Sequence, residues 1–138
     1  MPDSIAVVVN SDCAVKIEDD AVRLPAGGLV ASAHDCAQVT TVLPDREAAA
    51  ELARAAVEAR LAASAQISGR PIESVYRTGG VVETAEEWRV MFKTLIGQAD
   101  DLVRFIAERH PYDVPEILAF PILYANKPYL DWIRETAA

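Results

Sequence analysis

Apolar residues recur along this chain in two rhythms, and each change of rhythm marks an element. Residues 46–60 are rich in Ala, Glu and Arg, with apolar positions 49, 52, 53, 56 and 57 on one helical face. The β-branched run Val39-Thr-Thr-Val-Leu43 precedes them and stops at Pro44-Asp45, the pattern of a strand followed by a helix start. Two extended runs follow, roughly 62–76 and 81–94, separated by Arg77-Thr-Gly-Gly80, whose glycines supply the positive φ of a hairpin turn. In the second run Trp88, Val90 and Phe92 share one face, while Arg89, Met91 and Lys93 share the other. Gly69 and Pro71 are expected to bend or bulge the first run.

Each run exceeds twice the usual strand of about 5–6 residues, so the hairpin should project beyond its own sheet. An exposed projecting edge invites aggregation, which predicts that partner subunits cover it. A second helix is predicted from Gly97-Gln98 to about Arg109, with Leu102, Phe105, Ile106 and Arg109 along one side. The apolar run Ile117 to Tyr124 reads as a strand covered on both faces, although Pro121 calls for an edge position or a bulge. A last helix begins at Asn126-Lys127-Pro128, with Tyr129, Leu130, Trp132 and Ile133 as its apolar face and Trp132 expected to pack.

Residues 1–35 carry weaker signals: strand candidates at Ile5 to Val9, Cys13 to Ile17 and Ala21 to Leu24, forming a small meander or a partly disordered extension. Leu24-Pro-Ala-Gly-Gly28 lacks the lysine and spacing of a phosphate-binding loop and reads as a turn. The expected division is an extension over 1–35 and a domain over 36–138. From residue 36 the order is β-α-β-β-α-β plus a terminal helix, an α+β chain of the ferredoxin-like split βαβ type. That architecture hosts many functions, so function must be argued from the site.

Composition narrows the classes. The formal charge of −8 argues against nucleic acid and anionic membranes, which both need a basic face. No apolar run approaches the roughly 18 residues of a membrane span. Asp3 stands where a secretory signal would be basic, and Cys13 and Cys36 form neither a disulfide framework nor a thiolate zinc site. A cytoplasmic location is expected. Between the second helix and the last strand runs Arg109-His-Pro-Tyr-Asp-Val-Pro-Glu-Ile117, a connector stiffened by two prolines that bias His110 and Val114 towards extended geometry.

Several strings in this order resemble the CutA family, the divalent-cation tolerance proteins, over residues 38–136. They are Thr41-Val-Leu-Pro-Asp45, Arg60-Leu-Ala-Ala-Ser64, Ser74-Val-Tyr76, Gly80-x-x-Glu83-x-x-Glu86-Glu87, Lys93-Thr94, His110 to Ile117, and Tyr129-Leu-Asp-Trp-Ile133. The resemblance implies a ferredoxin-like subunit in a homotrimer built like the PII signalling proteins, with hairpins wrapped around neighbours. It also implies a link to copper and other divalent-metal tolerance, and no enzymatic activity. This chain has Thr41 and Ser64 where relatives often carry cysteine, and the loss of thiolates weakens the case for a soft metal. It has Arg77 and Thr78 where the family usually places tryptophans.

The candidate residues divide accordingly. His110, with Asp113 and Glu116 as hard partners, forms the candidate metal set for a divalent ion such as Cu or Zn. The plainer reading is that His110 closes the second helix against its dipole. One histidine falls short of the three or four ligands a transition metal needs, unless symmetry brings groups from other subunits. Tyr76, Lys93 and Tyr112 form the candidate small-ligand set. Glu83, Glu86 and Glu87 read as a solvated acidic face near the hairpin tip. No nucleophile with its base and orienting group can be assembled. Three readings remain beside metal tolerance: a PII-like small-molecule sensor, a non-catalytic trimeric scaffold whose extension meets an unidentified protein partner, and an enzyme pairing His110 with Glu116 or Asp113.

Overall fold

The computed structural model describes the backbone of residues 6–10, 13–18, 21–23 and 29–138, and side-chain surroundings from residue 31 onward. Leu24 to Gly28 therefore lies outside the described residues, as does the turn expected there. The chain opens with four short strands, β1 (Ala6–Asn10), β2 (Cys13–Glu18), β3 (Ala21–Arg23) and β4 (Leu29–Ser32). It continues as β5 (Cys36–Leu43), α1 (Arg46–Glu58), β6 (Ser64–Ile67), β7 (Ile72–Thr78), β8 (Val81–Leu95) and α2 (Ile96–Arg109). It ends with β9 (Ile117–Pro121), β10 (Tyr124–Ala125) and α3 (Lys127–Ala137).

Each helix boundary has a local cause. Asp45 takes an extended backbone and its carboxylate accepts from the Ala48 N–H at 2.7 Å, an N-cap that satisfies one orphan donor of α1. The helix closes in a Schellman motif, with Arg60 N–H donating to Val57 O and Leu61 N–H to Ala56 O. Arg60 takes the left-handed conformation (φ +60°) that glycine usually fills. Pro128 sits in the first turn of α3, where its missing N–H costs nothing.

The main sheet has the order β6-β8-β5-β9 with every neighbouring pair antiparallel, which is the ferredoxin-like arrangement. One face carries Val39, Leu43, Val90 and Phe92 against Ala49, Leu52, Ala53 and Ala56 of α1 and Leu102 and Ile106 of α2, all buried. Burying a Phe or Leu side chain is worth about 1.5–3 kcal/mol, so this layer is the main source of stability. The opposite face, with Gln38, Thr40, Met91, Lys93, Leu118 and Phe120, carries neither α1 nor α2, and α3 packs only on its end at Cys36 and Leu95.

β8 is fifteen residues long, and its first half leaves the sheet to pair with β7 as a hairpin. The turn is Gly79-Gly80, with φ of +56° and +79°, the left-handed pair that a two-residue hairpin requires. The expected break in the first run falls at Ser68–Pro71, between β6 and β7. Val75, Val81 and Val82 on the hairpin are each more than half exposed.

Two expectations need correction. The last strand is not covered on both faces: Leu118 and Phe120 are 43% and 47% exposed, because β9 is an edge strand whose outer face has no layer over it in a single chain. Trp132 is 41% exposed and stacks on Tyr129 at 5.5 Å between ring centroids, while Leu130, Ile133 and Ala137 form the packed stripe of α3.

Pro121 ends β9, and three residues later the chain joins a second antiparallel sheet, β1-β2-β3-β4-β10, through the pair Tyr124↔Ser32. The corner is held by Arg134 of α3, whose Nε and Nη2 donate to the two carboxylate oxygens of Asp35 at 2.7 and 2.9 Å. The guanidinium holds the Asp35 carboxyl below its ordinary range. We expect Arg60→Gly to stabilise the chain by about 1 kcal/mol in urea unfolding, because glycine takes the left-handed conformation without the Cβ penalty.

Candidate functional site

The side chains that meet in a cleft come from β7, β8 and the connector after α2, together with Val42 of β5. β8 keeps one parity through its length, so Glu87 and Arg89 stand on the side of the sheet away from α1 and α2, opposite in sense to Trp88 and Val90. On β7, Tyr76 pairs across the hairpin with Glu83 and Ser74 with Ala85, on the same side. The connector after α2 brings Tyr112, Val114 and Glu116 against them, closing a cleft of about 540 Å³.

His110 aims the connector. β9 pairs with β5 only as far as Thr41↔Ile117, so the next carbonyl, that of Val42, lies beyond the ladder. His110 Nε2–H donates to it at 2.8 Å, and the Tyr112 N–H donates to Nδ1 at 3.1 Å, which assigns the Nε2–H tautomer. Thr41 adds a clamp, its hydroxyl donating to Glu116 O at 2.8 Å. Tyr112, with its ring 4.9 Å from that of His110, is thereby directed into the cleft. Its hydroxyl donates to Glu87 Oε2 at 3.0 Å. Burial first, and the Glu87 carboxylate second, push the Tyr112 phenol up to about 12.

The sequence-derived candidates separate in space. Tyr76, Tyr112 and Glu116 line the cleft. His110 lies behind it as a bracket with both ring nitrogens engaged, leaving no lone pair for a metal. Asp113 is exposed and outside the lining. Lys93 sits further along β8, facing Gln38 and Ser64, and donates to Gln66 Oε1 at 3.4 Å; burial lowers its ammonium pKa. Among the described residues no group of three or more His, Cys, Asp or Glu side chains is placed to hold a metal ion. The described residues of one chain thus do not fit a transition metal. His110, Asp113 and Glu116 would become a ligand set only with groups from other copies and with the ring released.

Glu87 and Arg89 are the residues that sequence reasoning missed. Glu87 is not part of a solvated acidic face: it is 8% exposed, whereas Glu83 and Glu86 are exposed. The signal was present in the period of two, which puts Glu87 on the same side as Arg89 and Met91.

Comparison with known proteins agrees with this geometry. The family model described as CutA1 divalent ion tolerance protein matches residues 37–136. The divalent-cation tolerance protein CutA of Thermus thermophilus is 40% identical over 97 residues, covering 70% of this chain and 93% of that protein. The human protein CutA is 39% identical over 92 residues, covering 67% of this chain and 51% of that protein, so the chain spans about half the length of this relative. The structure of CutA from Synechococcus elongatus superimposes with a TM-score of 0.75 at 34% identity, over 79% of this chain and 96% of that one. A second structure of it, complexed with a Bis-Tris molecule, gives a TM-score of 0.71 at 34% identity, over 78% and 98%.

His110→Ala leaves the Val42 carbonyl and Tyr112 N–H without partners, and we expect a loss of about 1–3 kcal/mol in urea unfolding. The raised Tyr112 phenol adds stability that is fully present below about pH 10 and is lost as pH rises from about 10 through about 12. Unfolding midpoints measured across that window should fall, and Tyr112→Phe should remove part of the fall. Residues 37–136 and the fold they build show that this chain belongs to the CutA1 divalent ion tolerance family.

Proposed function

We propose that this chain is a divalent-cation tolerance or response protein that assembles as a homotrimer and works by binding a ligand, not by catalysis. The observation that carries the reading is the cleft itself. A locked connector and a projecting hairpin hold a buried carboxylate, a guanidinium and two phenols around about 540 Å³ of open space, and Ser74, the one serine in the lining, has no histidine among the lining residues to activate it. The exposed valines of the hairpin, the uncovered face of β9 and the exposed Tyr129–Trp132 stack support self-association, because one chain leaves these apolar surfaces in water. In the trimer each cleft would lie between subunits.

A small-molecule sensor of PII-like type is the second reading. The relative from Synechococcus elongatus that was solved with a Bis-Tris molecule favours it, since that protein accepts a small organic molecule. A metal in the cleft would draw on the oxygens of Glu87 and Glu116 from neighbouring copies, not on the His110 ring. The expected cytoplasmic location stays part of the proposal, for relatives include chloroplastic proteins and one named periplasmic. Among the described residues, no helix is long and apolar enough to cross a membrane.

Native mass spectrometry tests assembly and ligand together. The expected mass is that of three chains, and a monomeric mass overturns the trimer. Cu(II) bound through an imidazole nitrogen, read as nitrogen hyperfine splitting in EPR that persists in His34→Ala, overturns the assignment of His110 as a bracket. A trimer that takes up neither metals nor small molecules leaves the scaffold reading.

A further inference from the structure

The cleft also carries information about the charge of its ligand, provided that it is the ligand site. Glu87 lines it and is 8% exposed, and its described side-chain hydrogen bond comes from a neutral group, the Tyr112 hydroxyl. No ion pair described in the structure involves Glu87. A carboxylate withdrawn from water, hydrogen-bonded by a phenol and not ion-paired with the neighbouring Arg89, is incompletely compensated, and a cation reaching it gains both Coulomb attraction and a hydrogen bond.

Three further features restrict what that cation can be. The described residues form no multi-carboxylate cluster to replace a metal's hydration shell. The aromatic side chains of Tyr76 and Tyr112 line it, and aromatic faces attract desolvated organic cations. Arg89 stands two residues beyond Glu87 on the same side of β8, so the cleft presents an acceptor and a donor fork side by side. Glu116, exposed at the rim, raises the local concentration of cations.

The geometry points to a small organic ammonium ion as the ligand class, with its charged head on Glu87, its carbon atoms against Tyr76 and Tyr112, and a hydroxyl or carboxylate substituent turned to Arg89. A bare metal ion finds no ligand cluster among the described residues, and a simple anion meets Glu87 and Glu116 with the wrong sign.

The test follows the ring resonances of Tyr76 and Tyr112 by NMR in the full chain, with calorimetry, near neutral pH. The probes are ethanolammonium, its neutral analogue ethylene glycol, and acetate. Ethanolammonium should shift both rings and bind at least tenfold more tightly than ethylene glycol, and acetate should leave the rings unmoved. Glu87→Gln keeps the acceptor for Tyr112 but removes the charge, and should reduce ethanolammonium binding at least tenfold. Equal binding of ethanolammonium and ethylene glycol, or preference for acetate, overturns the ammonium assignment while the cleft stands as a ligand site. If no probe moves either ring, the ammonium assignment falls, and if metals and the other small molecules are also refused the cleft reading falls with it. Because the charged and neutral probes are compared on the native sequence, the outcome is decisive even if Glu87→Gln fails to fold.

Discussion

A fifteen-residue strand cannot change faces along its length, and the architecture of this protein depends on that constraint. β8 serves three neighbours, β5, β6 and β7, so its period-two alternation is imposed on the core sheet and the hairpin together. Trp88, Val90 and Phe92 must then face the helices, and Glu87, Arg89, Met91 and Lys93 must face away from them. The buried core and the polar cleft are two consequences of one register. A slip by one residue would put Glu87 and Arg89 towards α1 and α2, where charge is not tolerated, so core packing fixes which groups line the cleft.

The second determinant is the treatment of backbone groups where the ladder ends. β9 stops short of Val42, and the carbonyl left there is satisfied by His110. The same ring accepts from Tyr112 N–H, and Thr41 holds Glu116 O. These three bonds turn a proline-stiffened connector into a wall that carries Tyr112 and Glu116. The two nitrogens of the His110 ring are spent on main-chain atoms, and what the ring positions are the side chains of Tyr112 and Glu116.

The opposite end of the sheet is organised by different means. There β4 and β10 pair for only two residues, and the Asp35–Arg134 fork ties α3 to the turn between β4 and β5. Both partners are partly exposed, so the pair specifies the corner geometry more than it adds stability. Through this corner the meander of β1 to β4 joins a chain whose family match begins at residue 37.

Residues from Cys36 onward disclosed the element order because their apolar spacing changes cleanly from two to 3.6, and because Asp45, Gly79, Gly80 and Pro128 perform their usual local roles. Those signals act over a few residues and survive being read one at a time. The candidate site was legible only in part. Tyr76, Tyr112 and Glu116 were named from their company in the chain, but Lys93 and Asp113 proved remote from the cleft and Glu87 was read as solvated. Burial at Glu87, exposure at Trp132 and Phe120, and the bond from His110 to the Val42 carbonyl all depend on segments tens of residues away. Local pattern determined which elements form and which side each residue takes. Tertiary packing alone decided which sides are covered, because coverage comes from segments whose arrival no local rhythm records.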